Sequence, residues 1–268
     1  MLDNKHPFFS IIIPTYNVED LLPSALESVL SQDFGDIEVI IMDGDSSDHT
    51  LAIANRKSNK DSRVKVFSEK DNGIYDAMNK AIGIAKGDYL FFLGSDDVFY
   101  DQAILSQVYS SLAQNPVHVL YGNVYSDRFN GIYDGEFSVE KLYFKNICHQ
   151  SIFFSNTVFK KTGLFNLKYK AHADYDHNMK WFLDKAITFR YDEMIISNYA
   201  DGGFSSINGD LVFKKNKKLL FVWRSFGQVS IMFLLKILMP KRLNNVCRVF
   251  SKVKRSMNVD TVKTKTHD

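Results

Sequence analysis

The sequence predicts an α/β protein with a mostly parallel central sheet flanked by helices, followed by a basic helical appendage. Three observations predict it. Over the first hundred residues, short β-branched apolar runs alternate with segments whose apolar residues recur at helical spacing. The apolar runs are nearly unbroken, as strands buried on both faces require. Past residue 210 the pattern changes to a cation-rich stretch without acidic residues.

Phe8–Ile13 is the first strand. Leu21, Leu22, Ala25, Leu26, Val29 and Leu30 then mark a helix, with Asn17 placed as its N-cap and Glu19 and Asp20 in the first turn, where the helix dipole favours acids. Ile37–Met42 is the second strand, a short helix is expected around Thr50–Arg56, and Val64–Phe67 is the third strand. Ile74, Ala77, Met78, Ala81, Ile82 and Ala85 mark a helix that Gly87 ends, before a fourth strand, Tyr89–Leu93. This β-α-β-α-β-α-β order places helices on both faces of a parallel sheet. Beyond Asp97 the expected elements are a helix over Ile104–Leu112, a strand at Val117–Val124 and a Gly-marked hairpin across Tyr125–Phe137. A strand at Ser151–Phe154, a helix from near Asp174 to Leu183, and two strands, Ile187–Tyr191 and Met194–Tyr199, complete the set.

The 268 residues suffice for one large domain with an appendage. Cys148 and Cys247, the only two cysteines, form neither a metal-ligand spacing nor a disulfide framework, which favours a reducing, cytoplasmic setting. Met1–Phe9 lacks the apolar run of a signal peptide, so export is not expected. Charge is uneven. Residues 211–259 hold twelve Lys or Arg and no Asp or Glu, whereas 1–210 hold 19 basic and 29 acidic residues, a net of −10. Such asymmetry assigns the C-terminal part a role at an anionic surface.

In a doubly wound sheet, ligands bind at the edge shared by the strand C-termini. Three strand ends here are polar: Pro14-Thr15-Tyr16-Asn17, Asp43-Gly44-Asp45-Ser46 and Ser95-Asp96-Asp97. A carboxylate can accept from a base N–H, a hydroxyl can hold a ribose, and paired carboxylates can hold a divalent cation against phosphates. The blander reading of Ser95-Asp96-Asp97 is an acidic turn that caps the next helix. The G-x-G-x-x-G turn and the G-x-x-x-x-G-K-[ST] loop are both absent.

Four segments, in order, carry a family resemblance: Ser10-Ile-Ile-Ile-Pro-Thr-Tyr-Asn17, Ile41-Met-Asp-Gly-Asp-Ser-Ser-Asp48, Glu69-Lys-Asp-Asn-Gly-Ile-Tyr-Asp-Ala-Met-Asn-Lys80 and Phe92-Leu-Gly-Ser-Asp-Asp97. Across residues 8–206 the chain resembles family 2 glycosyltransferases with the GT-A fold, a Rossmann-like α/β class, above all bacterial enzymes of surface-polysaccharide assembly. The resemblance implies that Pro14, Thr15 and Tyr16 contact the nucleoside of a sugar-nucleotide donor and that Asp43 recognises its base, usually uracil. It implies that Ser95 and Asp96 meet the nucleotide and that Asp96 and Asp97 hold Mg²⁺ or Mn²⁺. Gly94 stands where many relatives have an acidic residue, and Asp45 where a Gly is common. Ala173-Asp174-Tyr175-Asp176 matches the segment that ends in the catalytic base, so Asp174 is the expected base and Asp176 the second choice. Asp174 is equally placed to cap its helix. His149, Gln150, Gly202 and Gly203 fall in segments near the acceptor and the diphosphate.

These roles imply inverting transfer from a nucleotide-sugar to a hydroxyl of a glycan or lipid-linked acceptor. Two other readings are a non-catalytic sugar-nucleotide-binding or assembly protein and a sugar-phosphate nucleotidyltransferase. The latter carries a Gly-rich turn that Pro14-Thr15-Tyr16-Asn17 does not match. The domains expected are a catalytic one over 1–210, with a nucleotide-sugar half (8–100) and an acceptor half (101–210), and an appendage over 211–268. Val229–Leu235 is the appendage's longest uncharged apolar piece, too short to span a bilayer. It reads either as a peripheral contact with the inner face of the cell membrane or as helices packed on the domain, and no nucleic-acid motif accompanies the charge.

Overall fold

A computed structural model describes residues 6–127, 130–200 and 209–238. The alternating first hundred residues give β1 (Phe9–Thr15), α1 (Leu22–Leu30), β2 (Ile37–Asp43), α2 (Thr50–Ser58), β3 (Val64–Ser68), α3 (Ile74–Ile84) and β4 (Tyr89–Phe92). Every residue of β1, β2 and β4 is buried, which is why these strands read as unbroken apolar runs. They pair in the order β3-β2-β1-β4, all parallel, with Thr15 opposite Asp43. All three loops that follow β1, β2 and β4 therefore emerge on one edge.

The opposite edge is tied by charge. Glu38 is buried within β2 and accepts from Ser10 (2.6 Å), from the Lys86 N–H (2.6 Å) and from Lys65. Burial alone would raise its pKa, but these donors hold it below the ordinary value. Gly87 is required there, because a Cβ would sit 2.5 Å from the Ser10 nitrogen.

The second half extends the sheet through β5 (Val98–Phe99), α4 (Ile104–Gln114), β6 (Val119–Ser126), β7 (Gly131–Tyr133), α5 (Val139–Phe144), β8 (Ile152–Ser155), α6 (Asn156–Thr162), α7 (Ala173–Phe182) and β9 (Phe189–Asn198). Among the described residues the sheet has nine strands, continuing β4-β8-β6-β9-β5, with β7 paired to β6 as the expected hairpin. Here β8 is antiparallel to β4 and β6, β9 is parallel to β6, and β5 is antiparallel to β9.

Two expectations are corrected. Asn17 does not cap α1, whose N-cap is Leu21 with no side-chain cap; it adopts φ +51° and accepts from the Ser47 N–H at 2.8 Å. The two strands expected at 187–199 are one, β9, because extra residues are absorbed as a bulge opposite Gly122. The short elements β5, α5 and α6 follow no long periodic pattern and went unread. Contacts divide the chain into units 1–217 and 218–268, so the first turns of α8 (Leu211–Arg224) fall in the first unit. Phe213 stacks on His172 (5.3 Å) and packs on Tyr169 and Tyr175, while Asp210 accepts from the Phe213 and Ala171 N–H groups. In the second unit α8 turns through Gly227 into α9 (Ile231–Leu238), with Phe221 against Phe233 and Lys218 donating to the Leu238 carbonyl.

Candidate active site

The loops after β1, β2 and β4 line a cavity of about 610 Å³ together with the β3–α3 connection. Pro14, Thr15 and Tyr16 come from the first loop, Gly44 and Asp45 from the second and Ser95 from the third. Opposite them stand Lys70, Asp71, Gly73, Ile74 and Ala77. The Asn17 N–H donates to Ser46 Oγ (2.9 Å) and the Val18 N–H to Thr50 Oγ1 (2.8 Å), so the first two loops are cross-tied. Asp45, exposed at the rim, holds φ +67°, a conformation that glycine adopts without strain. A Cβ on Gly44 would meet an Asp71 carboxylate oxygen at 2.5 Å, so a side chain there would displace the Asp71 carboxylate.

Asp43 does not line this cavity. It is fully buried, and its oxygens accept from Thr15 Oγ1 (3.3 Å), Ser46 Oγ (2.5 Å), the Ser46 N–H (3.2 Å) and Ser68 Oγ (2.7 Å). It fixes the ends of three strands from beneath.

After β4 the chain turns sharply, closed by the Asp97 N–H donating to the Gly94 carbonyl (3.1 Å). A Cβ on Gly94 would lie 2.3 Å from Asp97 Oδ2 and 2.7 Å from Asp96 Oδ1, so the glycine makes room for two carboxylates. Asp96 is half-buried and Asp97 almost dry. Gln150 Nε2 donates to Asp97 Oδ2 (2.8 Å), and the Ala200 N–H to Oδ1 (2.9 Å), delivered by the pairing of β5 with the end of β9. Burial, seconded by the charge of Asp96, pushes the Asp97 carboxyl up to about 6 despite these donors. A cradle of two hard oxygens with excess negative charge fits a divalent cation.

Asp174 stands in the first turn of α7, where the dipole favours an anion, but it is not the N-cap; that residue is His172. Its Oδ1 accepts from Tyr75 (2.8 Å) and its Oδ2 from Asn146 (2.7 Å), with His149 Nδ1 at 3.8 Å. Burial would raise its pKa, but His149 and Tyr75 outweigh that and hold it below the usual carboxylate value. Asp176, two residues on, points roughly 200° away around the helix. It is fully buried and paired with Lys180 at 3.5 Å. His149 and Gln150, neighbours in one 3₁₀ turn, thus reach Asp174 and Asp97 respectively. Gly202 and Gly203 lie outside the described residues. Sequence reasoning assigned no role to Asp71 and Tyr75, although both lie in a quoted motif; Asn146 carried no signal at all.

A parallel sheet with a strand-end cavity, an acidic turn after β4 and a carboxylate opening α7 is the arrangement of GT-A glycosyltransferases. The chain matches the family described as Glycosyl transferase family 2 over residues 10–187. It is 39% identical over 213 residues to the PGL/p-HBAD biosynthesis glycosyltransferase of Mycobacterium tuberculosis, covering 78% of this chain and 83% of that one. It is 30% identical to the hyaluronan synthase of Pasteurella multocida, covering 86% of this chain and 24% of that one. Its fold is similar to S. aureus TarS 1–349 in complex with UDP-GlcNAc (TM-score 0.70, 21% identity, 86% of this chain and 70% of that one). It is likewise similar to a mannosyltransferase of Pyrobaculum calidifontis in complex with GDP-Man and Mn²⁺ (TM-score 0.62, 16% identity, 86% and 78%). The chain belongs to glycosyltransferase family 2.

Proposed function

We propose that this glycosyltransferase inverts configuration as it moves a sugar from a UDP-sugar to a hydroxyl of a glycan or lipid-linked acceptor in surface-polysaccharide assembly. The observation that carries the reading is a convergence. One 3₁₀ turn brings the Asp96–Asp97 cradle and the Asp174 carboxylate to the same sheet edge as the cavity. Thr15, Tyr16 and Ser95 contact the nucleoside, Asp71 meets the base from the cavity wall, and Asp43 serves the base pocket through the loop ends it holds. Asp96 and Asp97 would hold Mg²⁺ or Mn²⁺, which when bound neutralises the charge growing on the departing diphosphate. Among the described residues no third His, Cys, Asp or Glu joins them, and the phosphate oxygens of a bound donor would supply further ligands. Asp174 accepts the acceptor's proton as its oxygen attacks the anomeric carbon. UDP complexes of a fold neighbour and glycan-synthase relatives support the donor and the pathway class.

The test is UDP release from a panel of UDP-sugars, with and without EDTA. Asp174→Asn should lower it by roughly 10²–10⁴-fold, the usual worth of a general base. Turnover indifferent to both changes would sink the proposal.

Residues 211–259 serve as a peripheral contact with the inner face of the membrane, near a lipid-linked acceptor. Trp223, Phe226, Ile231 and Met232 are at least three-quarters exposed among the cations of α8 and α9. Phe221 and Leu234 are buried and take no part. No helix among the described residues is long and apolar enough to cross a membrane. The full chain should float with anionic liposomes at low salt and dissociate as salt rises. Failure to float at low salt leaves α8 and α9 as packing helices.

A further inference from the structure

We infer that Tyr75 and Asn146 are positioning residues for the base, gripping the Asp174 carboxylate from opposite sides and aiming it at the acceptor hydroxyl. The inference rests on the reading of Asp174 as the base.

The direction of each hydrogen bond follows from one group that can only donate. Trp181 Nε1 is a donor without lone pairs, so the Asn178 atom 2.9 Å away is its carbonyl oxygen. The Asn178 amide nitrogen therefore faces the Ile147 carbonyl (2.8 Å) and Asn146 Oδ1 (2.9 Å). Asn146 is left with its own amide nitrogen toward Asp174 Oδ2, at 2.7 Å. Residues 174, 178 and 181 share one face of α7, so the helix aligns both ends of this chain of donors. Asn178 and Trp181 are buried, so water does not compete for the Trp181–Asn178 and Asn178–Ile147 links.

The second grip comes from the donor half. Tyr75 lies on α3 between Ile74 and Ala77, which line the cavity, and its hydroxyl reaches Asp174 Oδ1 at 2.8 Å. The Ala171 carbonyl is farther, at 3.3 Å, and the hydroxyl has one proton, which the nearer, charged acceptor takes. One helix thus forms a wall of the donor cavity and holds the base of the acceptor side. The titratable groups facing this cluster are His149 from the 3₁₀ turn, Tyr75 from α3, Tyr175 on α7 and, beside Tyr75, Asp210.

Tyr75→Phe removes the donor but keeps the ring against Phe165, 5.5 Å away. Asn146→Ala removes the other donor from a different element, and carries the same test should Tyr75→Phe melt early. Three measurements are made on the full chain: carboxyl-carbon NMR titration after ¹³C-aspartate labelling, with Asp174 assigned by its loss in Asp174→Asn; kcat and KM for UDP release from UDP-GlcNAc; and UDP affinity by calorimetry. Each variant should raise the Asp174 midpoint by about one pH unit. Each should lower kcat tenfold or more, with the acid limb of the rate profile moving up in step, while UDP affinity and donor KM stay within about twofold. A merely structural role would leave the midpoint and the limb in place, and that result overturns the inference. Loss of turnover in Asp174→Asn with both variants unshifted overturns it alone; full turnover in Asp174→Asn removes the base reading and this inference together.

Discussion

Asp97 and Asp174 are both nearly dry carboxylates, each accepts two close hydrogen bonds, and yet they shift in opposite directions. Asp97, at the donor edge, is pushed up to about 6; Asp174, at the start of α7, is held below the ordinary value. Burial is common to both and raises both. The company differs: Asp97 has a like charge next to it in sequence, Asp174 a histidine and a tyrosine brought from distant elements. The turn after β4 is therefore built with excess negative charge, whereas the Asp174 carboxylate is satisfied by its neighbours.

Asp43 is where this comparison is most exposed to failure, because it is a fully satisfied carboxylate on the donor edge. Four hydrogen bonds make it scaffold rather than cavity wall. Asp43→Ala should cost about 3 kcal/mol of stability, by orphaning buried donors, and weaken UDP binding as the loops loosen. Asp71→Ala should weaken UDP binding with little loss of stability, since Asp71 faces the cavity. Paired denaturation and calorimetry decide. An Asp43→Ala protein that melts normally but no longer binds UDP would make Asp43 a direct base contact.

Asp97 gives the next effect, with a definite sign. Its folded pKa of about 6 exceeds the ordinary 3.8, so between these values the folded state holds the extra proton. Stability must fall as pH rises through that window, by about 3 kcal/mol once metal-free protein reaches neutrality. Asp174 slopes the other way: its contribution is present above the ordinary carboxylate pKa and is lost as pH falls below it. Mn²⁺ should accordingly raise the melting temperature more at pH 7 than at pH 4.5, and Asp97→Asn should flatten the slope and abolish the Mn²⁺ response. A slope that survives Asp97→Asn belongs to another group.

The parts of this arrangement that were legible in the sequence are those written locally. Buried parallel strands announce themselves as apolar runs, and their polar ends then fall on one edge by topology alone, which is why Pro14, Thr15, Tyr16 and Ser95 share one cavity wall. The Tyr75–Asp174 contact spans 99 residues and Asn146–Asp174 spans 28, and no periodicity encodes either. Asp43 was placed at the correct strand end, but its partners Ser46 and Ser68 decide that it faces inward. The charged pair Asp192-Glu193, which separated two expected strands, belongs to a bulge visible only from Gly122 on the neighbouring strand. A chain cut at 206 would also remove Asp210 and Phe213, whose contacts with 169–175 were invisible before the helices were placed.

Asp45 supplies the smallest effect and the finest test of the claim that the donor edge carries surplus negative charge. It is exposed at the cavity rim with φ +67°, where glycine is unstrained. Asp45→Gly relieves that strain but frees the unfolded chain, so the net gain in stability should be only about 0.5 kcal/mol. Removing a rim carboxylate should also favour a diphosphate. Because the group is solvated, the attraction is largely screened, and UDP affinity should rise about two- to threefold at low salt and less at high salt. Calorimetry at two ionic strengths reads this directly. A loss of affinity instead would show that Asp45 makes a hydrogen bond to the nucleotide that outweighs its charge, and the donor edge would then be less a site of surplus charge than one of specific acceptors, closer in kind to the surroundings of Asp174.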